Sequence, residues 1–172
     1  MTESSSGASA SPAQPVKTVE FWCELQCPDC ATALDDVRAL RAAYGDRVEI
    51  VLRHFPLEKH KFSFQAAEAA EEAFAQGKGW PFVEAVLART EELDRNGLKL
   101  LLAVATELGL DAEEMDTALI DGRHSFTVEA DHAEGKAIGV KGTPNWVVGR
   151  ERLDGSKSQD GLRDRLLALL GE

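Results

Sequence analysis

The sequence predicts an α/β protein: a mixed central sheet with helices on both faces, and a helical insertion between a βαβ half and a ββα half. Three observations predict it. Two β-prone runs flank a segment of helical period early in the chain. A long middle stretch then carries one helix pattern after another with no fixed repeat. Finally, strand character returns as a pair of runs before a last leucine-rich helix.

"KTVEFWC" (Lys17 to Cys23) is rich in Val, Phe and Trp and predicts the first strand. "ATALDDVRALRAAYG" follows with Ala33, Leu34, Val37 and Leu40 at helical spacing and stops at Gly45. "RVEIVLRHF" (Arg47 to Phe55) is β-branched and bounded by Pro56, so it predicts the second strand. Strand, helix and strand in this order form a right-handed crossover and hence a parallel pair. "SFQAAEAAEEAFAQG" predicts a helix ending at Gly77, and "WPFVEAVLARTEEL" one helix with Pro81 in its first turn. "LKLLLAVATELG" is apolar enough to be mostly buried, and "DAEEMDTALIDG" opens on Asp111 as a cap and closes on glycine. "SFTVEADHAEGKAIG" completes the helical block, placed at about residues 58–139. "NWVVGRERLDG" predicts a hairpin turning at Gly149-Arg150, and "SQDGLRDRLLALL" a closing amphipathic helix.

One domain over residues 16–172 accounts for these elements, preceded by a small, polar, proline-spotted segment at 1–15 that predicts a flexible tail. That start has neither a basic region nor an apolar one, so it does not read as a signal peptide, and cytoplasm is the expected location. No apolar run approaches the roughly 18 residues of a membrane span. A formal charge of -11 argues against nucleic acid and anionic lipid as partners, since no basic stripe exists to meet phosphate.

The chain has three cysteines, and "CELQCPDC" holds them all: Cys23, Cys27 and Cys30. A secreted disulfide framework wants an even number spread along the chain, so local thiols point to redox or metal chemistry. A structural zinc site needs a second ligand pair, and His54, His60, His124 and His132 are scattered. Cys23-x3-Cys27-x2-Cys30 also matches an iron–sulfur loop of the radical S-adenosylmethionine kind. Against that stand the short chain and the placement of the sulfurs across a strand end and a helix start.

Redox exchange suits the placement best. Cys27 lies where the first strand hands over to a helix, and free amides with the positive end of the helix dipole favour a thiolate there. A Cys27 pKa well below the ordinary thiol value is therefore expected. Cys27 becomes the attacking thiolate and Cys30, one turn further in, the resolving thiol. Pro28 fits the first helical turn, where its missing N–H has no partner to lose. Asp29 disfavours a neighbouring thiolate and so predicts a less oxidising disulfide.

Other residues near the motif are candidates of lower rank. Glu24 is a candidate proton relay to Cys30, with a solvated loop acid as the plainer reading. Cys23 is expected as a small buried residue at the strand end, the sharper alternative being a third thiol that traps Cys27 or senses oxidants. Trp22, Trp146 and His54 read as structural, Phe55-Pro56-Leu57 as a turn, and Glu68, Glu71 and Glu72 as a solvated helix face.

"GVKGTPNWVVG" decides between these chemistries. Thr143-Pro144 introduces a strand, and X-Pro is essentially the only bond that tolerates cis. Facing CxxC, such a proline leaves its neighbour's backbone free to pair with an extended substrate. "VEFWCELQCPDC", "LRHFPLEKH", "AAEAAEEAFAQGKGW" and "AIGVKGTPNWVVG" together resemble the DsbA-like branch of the thioredoxin superfamily, in order, from Val16 to Glu172. The resemblance implies a thioredoxin-like fold with a helical insertion. It also implies thiol–disulfide oxidoreductase activity with Cys27 nucleophilic, Cys30 resolving and Thr143-Pro144 as the substrate shelf.

The expected function is thus an enzyme without a bound cofactor or metal, exchanging disulfides with protein thiols or low-molecular-weight thiols and drawing on a redox partner protein. The absent export signal and Asp29 depart from the family pattern and leave the direction of electron flow open. A non-catalytic redox sensor or adaptor, switching partner binding through its disulfide, is the alternative.

Overall fold

The structure, a computed structural model, describes residues 16–171; the tail expected over 1–15 lies outside them, as does Glu172. The sheet has four strands in the order β2-β1-β3-β4, where β1 is Lys17–Cys23, β2 Val48–His54, β3 Asn145–Val148 and β4 Glu151–Asp154. β1 pairs parallel with β2 and antiparallel with β3, and β3 and β4 form the hairpin. Gly149 makes its turn at φ 60°, a conformation that costs glycine least.

Alternation along β1 sends its side chains to two faces. Val19, Phe21 and Cys23 point into the main core, against the long helix α1 (Pro28–Tyr44) and the closing helix α8 (Leu162–Gly171). Trp22 points the other way and packs with Phe55 and Val140. That second face is covered by α7 (Ser125–Ala137). A glycine stands where α7 comes closest, because a Cβ on Gly135 would lie 2.8 Å from both Trp22 and Phe55. Arg53, stacked 4.4 Å over the Trp22 ring, ties strand to helix through Asp131 and Glu134 and reaches Glu20 as well.

The helical block runs from α2 (Ser63–Ala75) through α3 (Gly79–Leu87), α4 (Thr90–Asn96), α5 (Leu98–Glu107) and α6 (Ala112–Asp121) to α7. Asp111 caps α6, accepting from the Glu114 amide at 2.9 Å. Two helix expectations need correction. The single helix expected from Trp80 to Leu93 is two, α3 and α4, parted at Arg89 (φ -133°, ψ 43°). Leu87 and Leu93 are both buried, and on one straight helix residues six apart diverge; the break turns both inward. The closing helix starts at Leu162 rather than near Ser158, because Gly161 before it takes φ 74°.

The solvated face expected for Glu68, Glu71 and Glu72 is also overturned. Glu68 and Glu72 are buried, and Glu71 lies 2.7 Å from the buried His54. Glu72 pairs with His124 at 2.8 Å and with Gln76 at 2.8 Å. Histidines 17 and 52 positions away supply partners that make these burials tolerable. Nothing within α2 itself reveals them.

Candidate active site

β1 ends at Cys23, and the chain turns at once into α1. The Cys27 amide donates to the Glu24 carbonyl at 3.1 Å, closing that turn, and Cys27 becomes the residue that caps α1. Pro28 and Asp29 occupy its exposed first turn, while Cys30 is fully buried one turn in. All three cysteines are free thiols, and Cys27 is itself only 6% exposed.

The opposite wall comes from the far end of the chain. Trp22 pairs with Asn145 in the sheet, so residues just before Asn145 emerge beside the cysteines. Asn145, fully buried, donates to the Gly142 carbonyl at 2.9 Å and to Asp154, while Gly155 donates to the Pro144 carbonyl at 2.9 Å. These bonds fix Thr143 and Pro144, whose peptide bond is cis. The Cys27 thiol then donates to the Thr143 carbonyl at 3.8 Å, a contact joining residues 116 apart. Thr143 is buried, and its hydroxyl has no hydrogen bond of full geometry, yet it lies close enough to Cys27 to favour the thiolate. A groove of about 450 Å³ opens over this contact, lined by Cys27, Asp29, Leu57, His60, Lys141 and Thr143 among others.

The dithiol does not titrate as the helix dipole alone suggests. The Cys27 thiol is pushed up, first by its hydrogen bond with Cys30 and then by burial; the Thr143 hydroxyl and the Cys30 amide pull the other way. Cys30 is raised as well, first by burial. Neighbouring thiols disfavour each other's ionisation, so the two titrate as a pair. The lowered Cys27 pKa expected from the helix start is therefore corrected: the helix amide acts in the expected direction and is outweighed.

Glu24 is the second correction. It is no solvated loop acid but a buried one, 2% exposed. His60 Nδ1 sits 2.6 Å from both of its carboxyl oxygens, and the Leu57 amide donates to one at 3.4 Å. Its own amide donates to the Cys30 sulfur at 3.4 Å. Burial raises the Glu24 pKa, although the His60 and Leu57 bonds oppose it. Neither partner is legible from the motif itself, since 36 and 33 positions separate His60 and Leu57 from Glu24. The only signal available was the run "FPLEKH", which the turn reading absorbed.

A prediction follows from the sign of that shift. A carboxyl raised in the folded state binds a proton that the unfolded chain has already released, so stability falls as pH climbs from the ordinary carboxylate range through the raised value. Glu24→Gln keeps an oxygen for His60 and removes the charge. Denaturant midpoints measured across pH are expected to show the fall in the native protein and a flatter profile in Glu24→Gln, with the variant gaining relative to the native protein toward neutral pH. An unchanged profile would count against a raised Glu24.

The remaining candidates are placed as follows. Cys23 is buried on the Cys30 side of the sheet, and Trp22 and Trp146 are fully buried core residues. Leu57 belongs to the groove wall rather than merely to a turn. Among the described residues no group of three or more His, Cys, Asp or Glu is placed to hold a metal ion.

A thioredoxin family model matches residues 5–167. A thioredoxin-like oxidoreductase from Silicibacter pomeroyi superposes with TM-score 0.75 at 26% identity, over 92% of this chain and 89% of that one. BdbD from Bacillus subtilis gives 0.77 at 19% identity over 94% and 91%, and a probable DsbA oxidoreductase from Streptomyces coelicolor 0.76 at 21% over 91% and 91%. Curated relatives include the Na(+)/H(+) antiporter NhaA of Herminiimonas arsenicoxydans, 36% identical over 139 residues. The match takes in 81% of this chain and only 22% of that antiporter. NhaA 3 of Salinispora tropica is 34% identical over 149 residues, 86% of this chain and 22% of its own length. Among the described residues no helix is long and apolar enough to cross a membrane.

A sheet of this order, interrupted by a helical block and carrying a dithiol at the start of α1, is a thioredoxin-like fold. The chain belongs to the thioredoxin family.

Proposed function

We propose that Cys27 and Cys30 are the working pair, and that Thr143 presents the substrate to them. The observation that carries this is the Cys27–Thr143 contact, which brings two motifs 116 positions apart to one groove. Cys27 attacks a substrate disulfide as the thiolate, forming a mixed disulfide. Cys30 then attacks Cys27, releasing the substrate thiol and closing the Cys27–Cys30 bond. The reverse sequence oxidises a substrate dithiol. The Glu24 amide donates to the Cys30 sulfur and favours its thiolate, while the Glu24 carboxyl, held by His60 and the Leu57 amide, is the candidate acid–base group beside the pair. Its raised pKa keeps it a better base than an ordinary carboxylate.

The substrates are protein thiols and disulfides in extended segments, with low-molecular-weight thiols or a redox protein as the electron source or sink. The open groove over Cys27 and Thr143 supports an extended partner. A cytoplasmic location is proposed from the cysteine pattern alone, and fractionation of the native host tests it. Neither nucleic acid nor membrane is proposed as a partner.

Insulin reduction and oxidative refolding of a reduced substrate, run side by side on the full chain, test the reading. Turnover in either is expected. A native protein without turnover that nonetheless binds a partner only in one redox state would favour the sensor instead.

A further inference from the structure

Cys23 is left unused by the exchange just described, yet it does not stand apart from it. Its side chain shares the α1-facing side of β1 with Val19 and Phe21, in the same packed cluster as Cys27 and Cys30. The amide that directly follows it, that of Glu24, donates to the Cys30 sulfur at 3.4 Å, so the peptide next to Cys23 lies against Cys30. The Cys23 and Cys27 thiols both lie near enough to the Cys30 thiol to act on its titration. The Cys23 backbone is held firmly, its carbonyl accepting from Phe55 at 3.0 Å and its strand position pairing with His54.

A sulfur with two thiols close by can form a disulfide with either. We propose that Cys23 is a third redox-active thiol that exchanges with Cys27 for Cys30, so that the oxidised protein interconverts between a Cys27–Cys30 and a Cys23–Cys30 disulfide. The step is an internal thiol–disulfide exchange. The Cys23 thiolate attacks the Cys30 sulfur, the Cys23–Cys30 bond forms, the Cys27–Cys30 bond breaks, and Cys27 leaves as the thiolate. The proton given up by Cys23 ends on Cys27. No electrons enter or leave, and no oxidant is needed.

The two forms differ in what they offer a substrate. In the first, the disulfide reaches the groove through Cys27 and can be handed over. In the second, the disulfide joins two buried residues, 2% and 0% exposed, and Cys27 stands alone at the groove as a thiol. Cys27 can then attack a substrate disulfide, but Cys30 is occupied and the mixed disulfide persists until Cys30 is released. The geometry thereby stores the oxidised state out of reach of solvent thiols. This rests on Cys27–Cys30 as the working pair.

The test uses the full chain in a glutathione redox buffer. Cys27→Ser leaves Cys23 and Cys30 as the only thiols, and it is expected to lose both on oxidation, with peptide mapping finding them joined within one chain. Retention of both thiols, or glutathione on Cys30 alone, overturns the proposal. In the oxidised native protein, acid quenching followed by alkylation in denaturant is expected to label Cys27 in part and Cys23 in part; label on Cys23 alone overturns it. Failure of the working-pair reading has a different signature, namely a native protein that forms no Cys27–Cys30 bond and shows no turnover.

Discussion

Cys27→Ser is expected to lose disulfide exchange altogether, a drop on the order of a thousandfold or more to the uncatalysed background. A hydroxyl cannot form the mixed disulfide through which every transfer passes, and neither of the other thiols reaches the groove as Cys27 does. The variant is expected to fold. Cys27 caps α1 without a side-chain cap bond, whereas serine at that position accepts from the first-turn amides and stabilises a helix by about 1 kcal/mol relative to a non-capping residue. Insulin reduction reads the first expectation and a denaturant midpoint the second. Cys30→Ser should differ in kind: attack survives, resolution does not, and the enzyme accumulates joined to its substrate. If Cys27→Ser keeps turnover while Cys30→Ser loses it, the two roles are exchanged.

Phe21→Ala is expected to destabilise the fold by about 3–5 kcal/mol, against a total of about 5–15 kcal/mol for a protein of ordinary stability. Phe21 is fully buried on the central strand β1 and stacks on Trp146 of β3 with ring centroids 4.5 Å apart. Strand pairing on both sides of β1 leaves little freedom to collapse into the space vacated. Removing the ring therefore costs both its transfer from water and the cavity that remains. Urea unfolding should show the lower midpoint with an unchanged slope. Phe126→Ala is the matched control: that ring is 80% exposed, and the change should stay within about 0.5 kcal/mol. A similar loss in both variants would mean that burial does not rank these positions.

Both expectations bear on how the site is made. The dithiol needs a rigid turn after β1, and β1 is rigid because Phe21 and its neighbours are buried between helices. The same strand delivers Cys23 into the core cluster that holds Cys30 and, through its pairing with β3, sets Thr143 opposite Cys27. The proposed chemistry and the stability therefore share one element, and the sulfur proposed as nucleophile sits at its exit.

What the sequence determined by itself is local. Alternation in "KTVEFWC", helical spacing after the cysteines, the Asp111 cap and the glycine turns each act over a few residues, so strands and helices were legible nearly where they stand. Cys27 and Cys30 were legible for the same reason, their relation being fixed by one turn of helix. Tertiary structure alone decided the rest. The state of Glu24 depends on a histidine 36 positions on, and the burial of Glu72 on one 52 positions on. Likewise the Cys27 thiol is pushed up by burial as well as by Cys30, and the Thr143 contact that opposes this comes from 116 positions away. Burial and pairing are properties of which segments meet, and for an ionisable group they outweigh its immediate neighbours in the chain, because removal from water penalises charge more strongly than one peptide dipole can offset.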